Sequence, residues 1–208
     1  MFLGLLVCAA TAITIDTPVA VFMSHLPYNI WLERLKAISV LGIGASYILV
    51  FLVGSFLFFL ISLPKFLSQK RKIQLMGISH FFTYGLATFI ASGFILNILK
   101  FMIGRQRPYL SPDFNAFIIS PFSFSHHFQS FPSGHTQVVF TFAFLVSERF
   151  PRSRYLVFFY AAVIAFTRVL RDSHFVSDVF GGIIVAWLGF IVSKTYLKSR
   201  VSKWFAQR

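Results

Sequence analysis

AISVLGIGASYILVFLVGSFLFFLISLP occupies residues 37–64: 28 consecutive positions without a charged side chain, closed by Lys36 on one side and Lys65 on the other. A second run, IQLMGISHFFTYGLATFIASGFILNIL, fills residues 73–99, 27 positions between Lys72 and Lys100. A helix needs roughly 20 predominantly apolar residues to cross a bilayer core, so each run is long enough to span. Pro64 and the basic cluster Lys65 to Lys72 turn the chain between them.

The rest of the composition agrees. Of 208 residues 57% are hydrophobic and only 12% charged, with 29 phenylalanines and a mean hydropathy of +0.76. That excludes a disordered chain, a coiled coil and an ordinary soluble enzyme. The net charge of +13 would suggest nucleic acid in a soluble protein. Here the basic residues fall in short clusters between apolar runs, as topology signals do, so no nucleic-acid partner is expected. The single cysteine, Cys8, allows neither an intrachain disulfide nor a thiolate metal cluster.

Shorter uncharged stretches follow at Ser133–Ser147, Tyr155–Thr167 and Val179–Ser193. With Met1–Ile15 read as a retained first helix, the expected fold is an all-α integral membrane bundle of about six transmembrane helices. The whole chain, 1–208, forms a single membrane-embedded domain in this reading. Lys65, Lys70, Arg71, Lys72, Arg149, Arg152, Arg154, Lys194, Lys198, Arg200, Lys203 and Arg208, twelve in all, fall on one side. Arg34, Lys36, Lys100, Arg105, Arg107, Arg168 and Arg171, seven, fall on the other. The richer side is expected to be cytoplasmic, with both termini inside. Tyr155–Thr167, 13 residues, covers only about 20 Å, so Arg168, Ser133 and Asp178 are expected to lie recessed within the bundle. Charges at such depth are expensive unless they pair or bind something.

Three segments on the seven-cation side carry chemistry. Lys100 and Arg107 in KFMIGRQRP stand seven positions apart, two helical turns, so both can face one anion; taken alone, the segment also reads as a basic membrane anchor stopped by Pro108. Ser133-Gly134-His135 opens a helix whose first turn offers unpaired N–H groups and room for an anion beside His135; a plain helix start fits equally well. His174 and Asp178, at i and i+4 if both lie on one helix, give a carboxylate beside an imidazole, the arrangement that prepares a histidine nucleophile or base; alone, a surface ion pair is the simpler reading.

In this order and at these spacings the segments resemble the type 2 phosphatidic acid phosphatase superfamily, the lipid phosphate phosphatases, whose pattern is K-x6-R-P, P-S-G-H and S-R-x5-H-x3-D. The chain has Lys100 to Pro108, Pro132 to His135, and Thr167-Arg168 through His174 to Asp178, departing only in Thr167, where serine is usual. The resemblance implies that Lys100, Arg107 and Arg168 hold the phosphate oxygens with Ser133 and the Gly134 amide. It implies that His174 attacks phosphorus to form a phosphohistidine, that Asp178 orients His174, and that His135 protonates the leaving oxygen. Three cations would do the neutralising that a metal does elsewhere, so neither metal nor cofactor is expected.

The implied partner is a phosphorylated lipid held in the bilayer. Undecaprenyl pyrophosphate or a glycerophospholipid phosphate comes first, with lipid A as the alternative, and a phosphotransferase passing the group to an acceptor lipid or sugar as another. The compact length points to a bacterial inner membrane, with the site facing the periplasm or exterior. Outside the motifs, His126 and His127 are expected to border the substrate entrance, and Arg105 and Arg171 to anchor at the interface. His80 reads as a helix–helix hydrogen bond, Ala20–Leu32 as a segment lying along the interface, and Trp187 as lipid-facing or core.

Overall fold

The computed structural model describes residues 2–27 and 29–197; Tyr28, the side chain of Trp31, and the basic residues Lys198, Arg200, Lys203 and Arg208 lie outside the described residues. In chain order the α-helices are α1 (Phe2–Thr14), α2 (Asp16–Ser24), α3 (Ile30–Ala37), α4 (Gly44–Ser62), α5 (Gln69–Ile103), α6 (Gly134–Arg149), α7 (Arg154–Leu170) and α8 (Val176–Val192). Among the described residues there is no strand, only an isolated bridge between Arg105 and Ile119.

Gly44–Ser62, Gln69–Ile103, Pro151–Leu170 and Val176–Tyr196 are long and apolar enough to cross a membrane, and α1 with α2, bent by 52° at their break, makes a fifth candidate. The sixth helix of the bundle, α6, has only 16 residues and packs among α5, α7 and α8. Large apolar side chains stand exposed along α4, among them Leu49, Leu52, Val53 and Phe56, as expected of a helix whose solvent is lipid.

Two expectations change. The run at residues 37–64 is not one helix: Ile38–Gly42 forms a 3-10 turn and Ile43 is extended before α4 begins. A Cβ on Gly42 would lie 2.9 Å from Cδ2 of His135, so this break lets the chain pass close behind that histidine. Ala20–Leu32 is likewise divided between the end of α2 and the start of α3, with Phe22 exposed on α2.

The core has two adjoining parts. Val139, Phe140, Ala143, Ala161, Ile164, Ala165 and Ala186 join α6, α7 and α8, where the alanines allow close approach. Phe51, Tyr84, Phe89, Val138, Leu145 and Phe190 tie α4 and α5 to the same helices. Between α5 and α6 the Gln137 amide donates to Ser92 Oγ at 2.6 Å and to Thr141 Oγ1 at 3.1 Å, so interior polar groups are satisfied side chain to side chain. These contacts bring the ends of α5, α6, α7 and α8 together at one face of the bundle.

Candidate active site

Helix α5 carries Lys100 in its last turn and stops at Gly104, which is left-handed at φ 61 and ψ 48. A Cβ there would lie 1.7 Å from the Ser120 carbonyl oxygen, so both conformation and space require glycine. Gly104→Ala is expected to lower stability by at least about 2 kcal/mol, read as a fall in the unfolding temperature of detergent-solubilised protein. An unchanged transition would contradict this geometry. The turn separates the next two arginines: Arg105 enters the protein, and Arg107 reaches the cavity at the bundle's end.

That cavity measures about 530 Å³ and is lined by Lys100, Arg107, Gly134, His135, Arg168 and His174, with Asn97, Tyr109, His126, Gln129, Arg171 and Ser173 around them. Four cationic side chains and no carboxylate face it, among the described residues. Lys100 Nζ donates to the Gln129 carbonyl at 2.5 Å. Arg107 donates to the carbonyls of His126 and Ser173, both at 3.2 Å, and burial holds its guanidinium below the ordinary arginine value. Arg168 Nε is buried and finds no acceptor among the described residues. A buried donor without an acceptor, in a cavity of one sign, suits a multivalent anion such as phosphate. Gly134 borders the same space, and only Leu96 Cδ2, at 3.5 Å, would meet a Cβ there, so the opening at the start of α6 faces the cavity rather than a packed neighbour.

His174 does not share a helix with Asp178. Phe175 is the N-cap of α8, in extended conformation, and Asp178 at the third helical position accepts the Phe175 N–H at 2.9 Å. The carboxylate therefore caps its own helix, and the loop residue His174 folds back over it with Nδ1 3.4 Å from Oδ2. Nδ1 so faces Asp178, leaving Nε2 as the ring nitrogen for the cavity. Both side chains are almost wholly enclosed, 3% and 0% exposed. Burial pushes the His174 pKa down to about 3; Asp178 opposes this, while Lys100 and Arg107 add to it. The ring is neutral at physiological pH and keeps a free lone pair.

Arg105 is no interfacial anchor. It is buried and donates to Asp178 Oδ1 at 2.7 Å, Asp16 Oδ2 at 2.7 Å, Ser177 Oγ at 2.6 Å and the Ala116 carbonyl at 2.8 Å, with its guanidinium 4.3 Å from the Phe175 ring centroid. Burial works against its charge, but the two carboxylates hold its pKa above the ordinary value. Asp16, Ser130 and Ser177 were not singled out in the sequence. Ser130 donates to Asp178 Oδ2 at 2.5 Å, and Asp16 accepts from Ser177 N at 2.9 Å and Ser177 Oγ at 2.5 Å. An acidic residue inside an apolar amino-terminal segment was the available signal for Asp16.

The remaining candidates divide. Ser133 is fully buried, its backbone N–H donating to the Asp178 carbonyl at 2.9 Å and its hydroxyl accepting from Thr136 at 3.0 Å. It does not cap α6 through its side chain, and it lies behind the cavity wall. Thr167 turns its hydroxyl back to the Ile164 carbonyl at 2.6 Å, a bond that serine makes equally well. Arg171 lines the cavity and is exposed at its mouth, rather than serving only as an anchor. His126 also lines it, held below its ordinary pKa first by neighbouring Arg107, whereas His127 does not. Phe122 and Phe124, exposed and packed on Phe101, give this loop an apolar rim. His80 belongs to a separate cavity of about 110 Å³ with Tyr84 and Glu148, and Trp187 is partly exposed on α8.

The sequence model of the PAP2 superfamily matches residues 80–202. A lipid A 1-phosphatase from Rhizobium etli is 33% identical over 132 residues, 63% of this chain and 57% of that protein, so the chain spans little more than half the relative's length. The crystal structure of LpxE from Aquifex aeolicus aligns with a TM-score of 0.59 at 20% identity, covering 88% of this chain and 96% of that one. A transmembrane PAP2-type phosphatidylglycerolphosphate phosphatase from Bacillus subtilis also gives a TM-score of 0.59 at 20% identity, covering 94% and 92%. The fold is thus that of transmembrane PAP2 phosphatases.

Proposed function

Because this chain belongs to the PAP2 superfamily, we propose that it hydrolyses a phosphate ester or pyrophosphate on a membrane lipid through a phosphohistidine, without a metal. The observation that carries the reading is a cavity, without a carboxylate among the described residues, in which Lys100, Arg107 and Arg168 stand with His135 and His174. His174 Nε2 attacks phosphorus in line, so that an N–P bond forms as the P–O bond to the lipid breaks. His135 gives its proton to the departing oxygen and then takes one from the water that cleaves the phosphohistidine and releases inorganic phosphate. The three cations hold the non-bridging oxygens in both steps with the Gly134 amide, and Asp178 stabilises the ring while it is cationic. Ser133 supports this pocket from behind.

Undecaprenyl pyrophosphate and glycerophospholipid phosphates suit the pocket's charge. The relative's activity favours lipid A, and we place it first: Asn97, Tyr109 and Gln129 at the cavity wall offer hydrogen bonds that a sugar could use and an isoprenoid could not. The twelve-to-seven charge asymmetry supports an orientation with both termini cytoplasmic and the cavity opening on the opposite side, the periplasm or exterior.

The test is phosphate release by purified protein in detergent with excess chelator, against lipid A, undecaprenyl pyrophosphate, phosphatidylglycerol phosphate and phosphatidic acid. Chelator-resistant release from at least one lipid is expected. Loss of all activity on chelation, restored by added metal, would overturn the mechanism. Label recovered on an acceptor lipid or sugar instead of as free phosphate would identify a phosphotransferase.

A further inference from the structure

The reaction as derived uses Asp178 and His174 but leaves a buried acid unaccounted for. Asp16, 1% exposed, opens α2 where that helix bends 52° away from α1, far in sequence from every motif. Its carboxylate accepts from both the N–H and the hydroxyl of Ser177 and from Arg105 Nη2, whose companion Nη1 holds Asp178. One guanidinium is thus shared between two carboxylates, and only one of them touches the histidine.

We propose that Asp16 is a positioning residue for the reaction, dividing the charge of Arg105 so that Asp178 keeps enough negative charge to stabilise His174 as its ring becomes cationic. The charges decide it. Asp16, Arg105 and Asp178 sum formally to −1, a charge directed at the imidazole from the side opposite the substrate. With Asp16 neutral, Arg105 and Asp178 form a balanced pair, and the phosphohistidine loses its counter-charge. Asp16 itself does not reach the cavity, so binding of the lipid phosphate is untouched. The geometry also fixes orientation, since the fork of Arg105 meets the α1–α2 corner and the first turn of α8 at once, in one plane.

This rests on the phosphohistidine reading, and the test separates the two. Kinetic constants are measured for Asp16→Asn, Asp16→Ser and Ser177→Ala with the best lipid substrate. Both Asp16 variants are expected to lose about 10- to 100-fold in kcat, the usual effect of removing an outer partner of a functional histidine in metal sites, with KM unchanged. Ser177→Ala, which removes a hydroxyl bridge but no charge, is expected to lose much less in kcat than either Asp16 variant. In histidine 15N spectra, the Nδ1–H resonance of His174, identified by its loss in His174→Ala, is expected to move in the Asp16 variants more than in Ser177→Ala. That readout needs no turnover, so it reports the coupling even if no tested lipid is hydrolysed. Wild-type kcat with an unmoved resonance would overturn the proposal. Equal loss in Ser177→Ala, or failure of both Asp16 variants to fold while Ser177→Ala folds, would assign Asp16 to assembly alone and overturn it too.

Discussion

Replacing His174 with alanine is expected to lower phosphate release by at least about four orders of magnitude, the scale on which removal of a covalent nucleophile acts. No other imidazole can replace it: His135 faces the cavity from α6, and His126 is tied to Arg107, with ring and guanidinium nitrogens 3.2 Å apart. A label trapped on the wild-type protein from a phosphate-labelled lipid should be absent from the variant; retention within tenfold of normal turnover would remove the nucleophile assignment. The pH dependence has a definite sign. The ring's pKa falls from 6.5 to about 3 on folding, so it stays unprotonated and nucleophilic from neutrality down to about 3, and an acid limb above that must come from another group. For stability the same depression acts against the fold. Below 6.5 the unfolded chain takes up a proton that folded His174 refuses, so stability falls as pH drops through the interval from 6.5 to about 3.

The largest stability effect is expected at Arg105. Arg105→Leu removes the one cation between two carboxylates, Asp16 and Asp178, that are 1% and 0% exposed. Stranding buried charge in this way costs about 3–5 kcal/mol, more than the pair contributed while intact. Thermal unfolding in detergent should show the loss, and Asp16→Asn in the same background should recover part of it by removing one stranded charge. A single variant as stable as the wild type would mean that the carboxylates do not depend on Arg105.

The long uncharged runs predict α4 and α5 directly, because a bilayer imposes a length that few other environments do. The motif residues Lys100, Arg107, Gly134, His135, Arg168 and His174 converge on one cavity as their spacing suggests. What the sequence hides is pairing across distance. Arg105 reads as an anchor because the residue that makes it a core cation lies 89 positions away. His174 and Asp178 read as one helical face because i,i+4 spacing is ambiguous between a helix and a cap; Asp178 takes the Phe175 N–H, which starts the helix one residue after that phenylalanine. Ser133 suggests a phosphate ligand by composition, but its hydroxyl is enclosed by Thr136. Tight packing decides such cases, and one-dimensional patterns do not record it.

Helix α5 runs 35 residues, and 28 separate Lys72 from Lys100. At about 1.5 Å per residue they stand about 42 Å apart, against about 40–45 Å between the outer limits of the headgroup layers. When the basic cluster at one end rests among the headgroups of its leaflet, the ammonium at the other end stands level with the phosphates of the opposite leaflet. If the proposed substrate is held there, it drifts sideways until its own phosphate meets Lys100, with every methylene of its tails still in the bilayer. On the proposed reading, capture is a two-dimensional search, governed by the surface density of the lipid and not by its vanishing solubility in water.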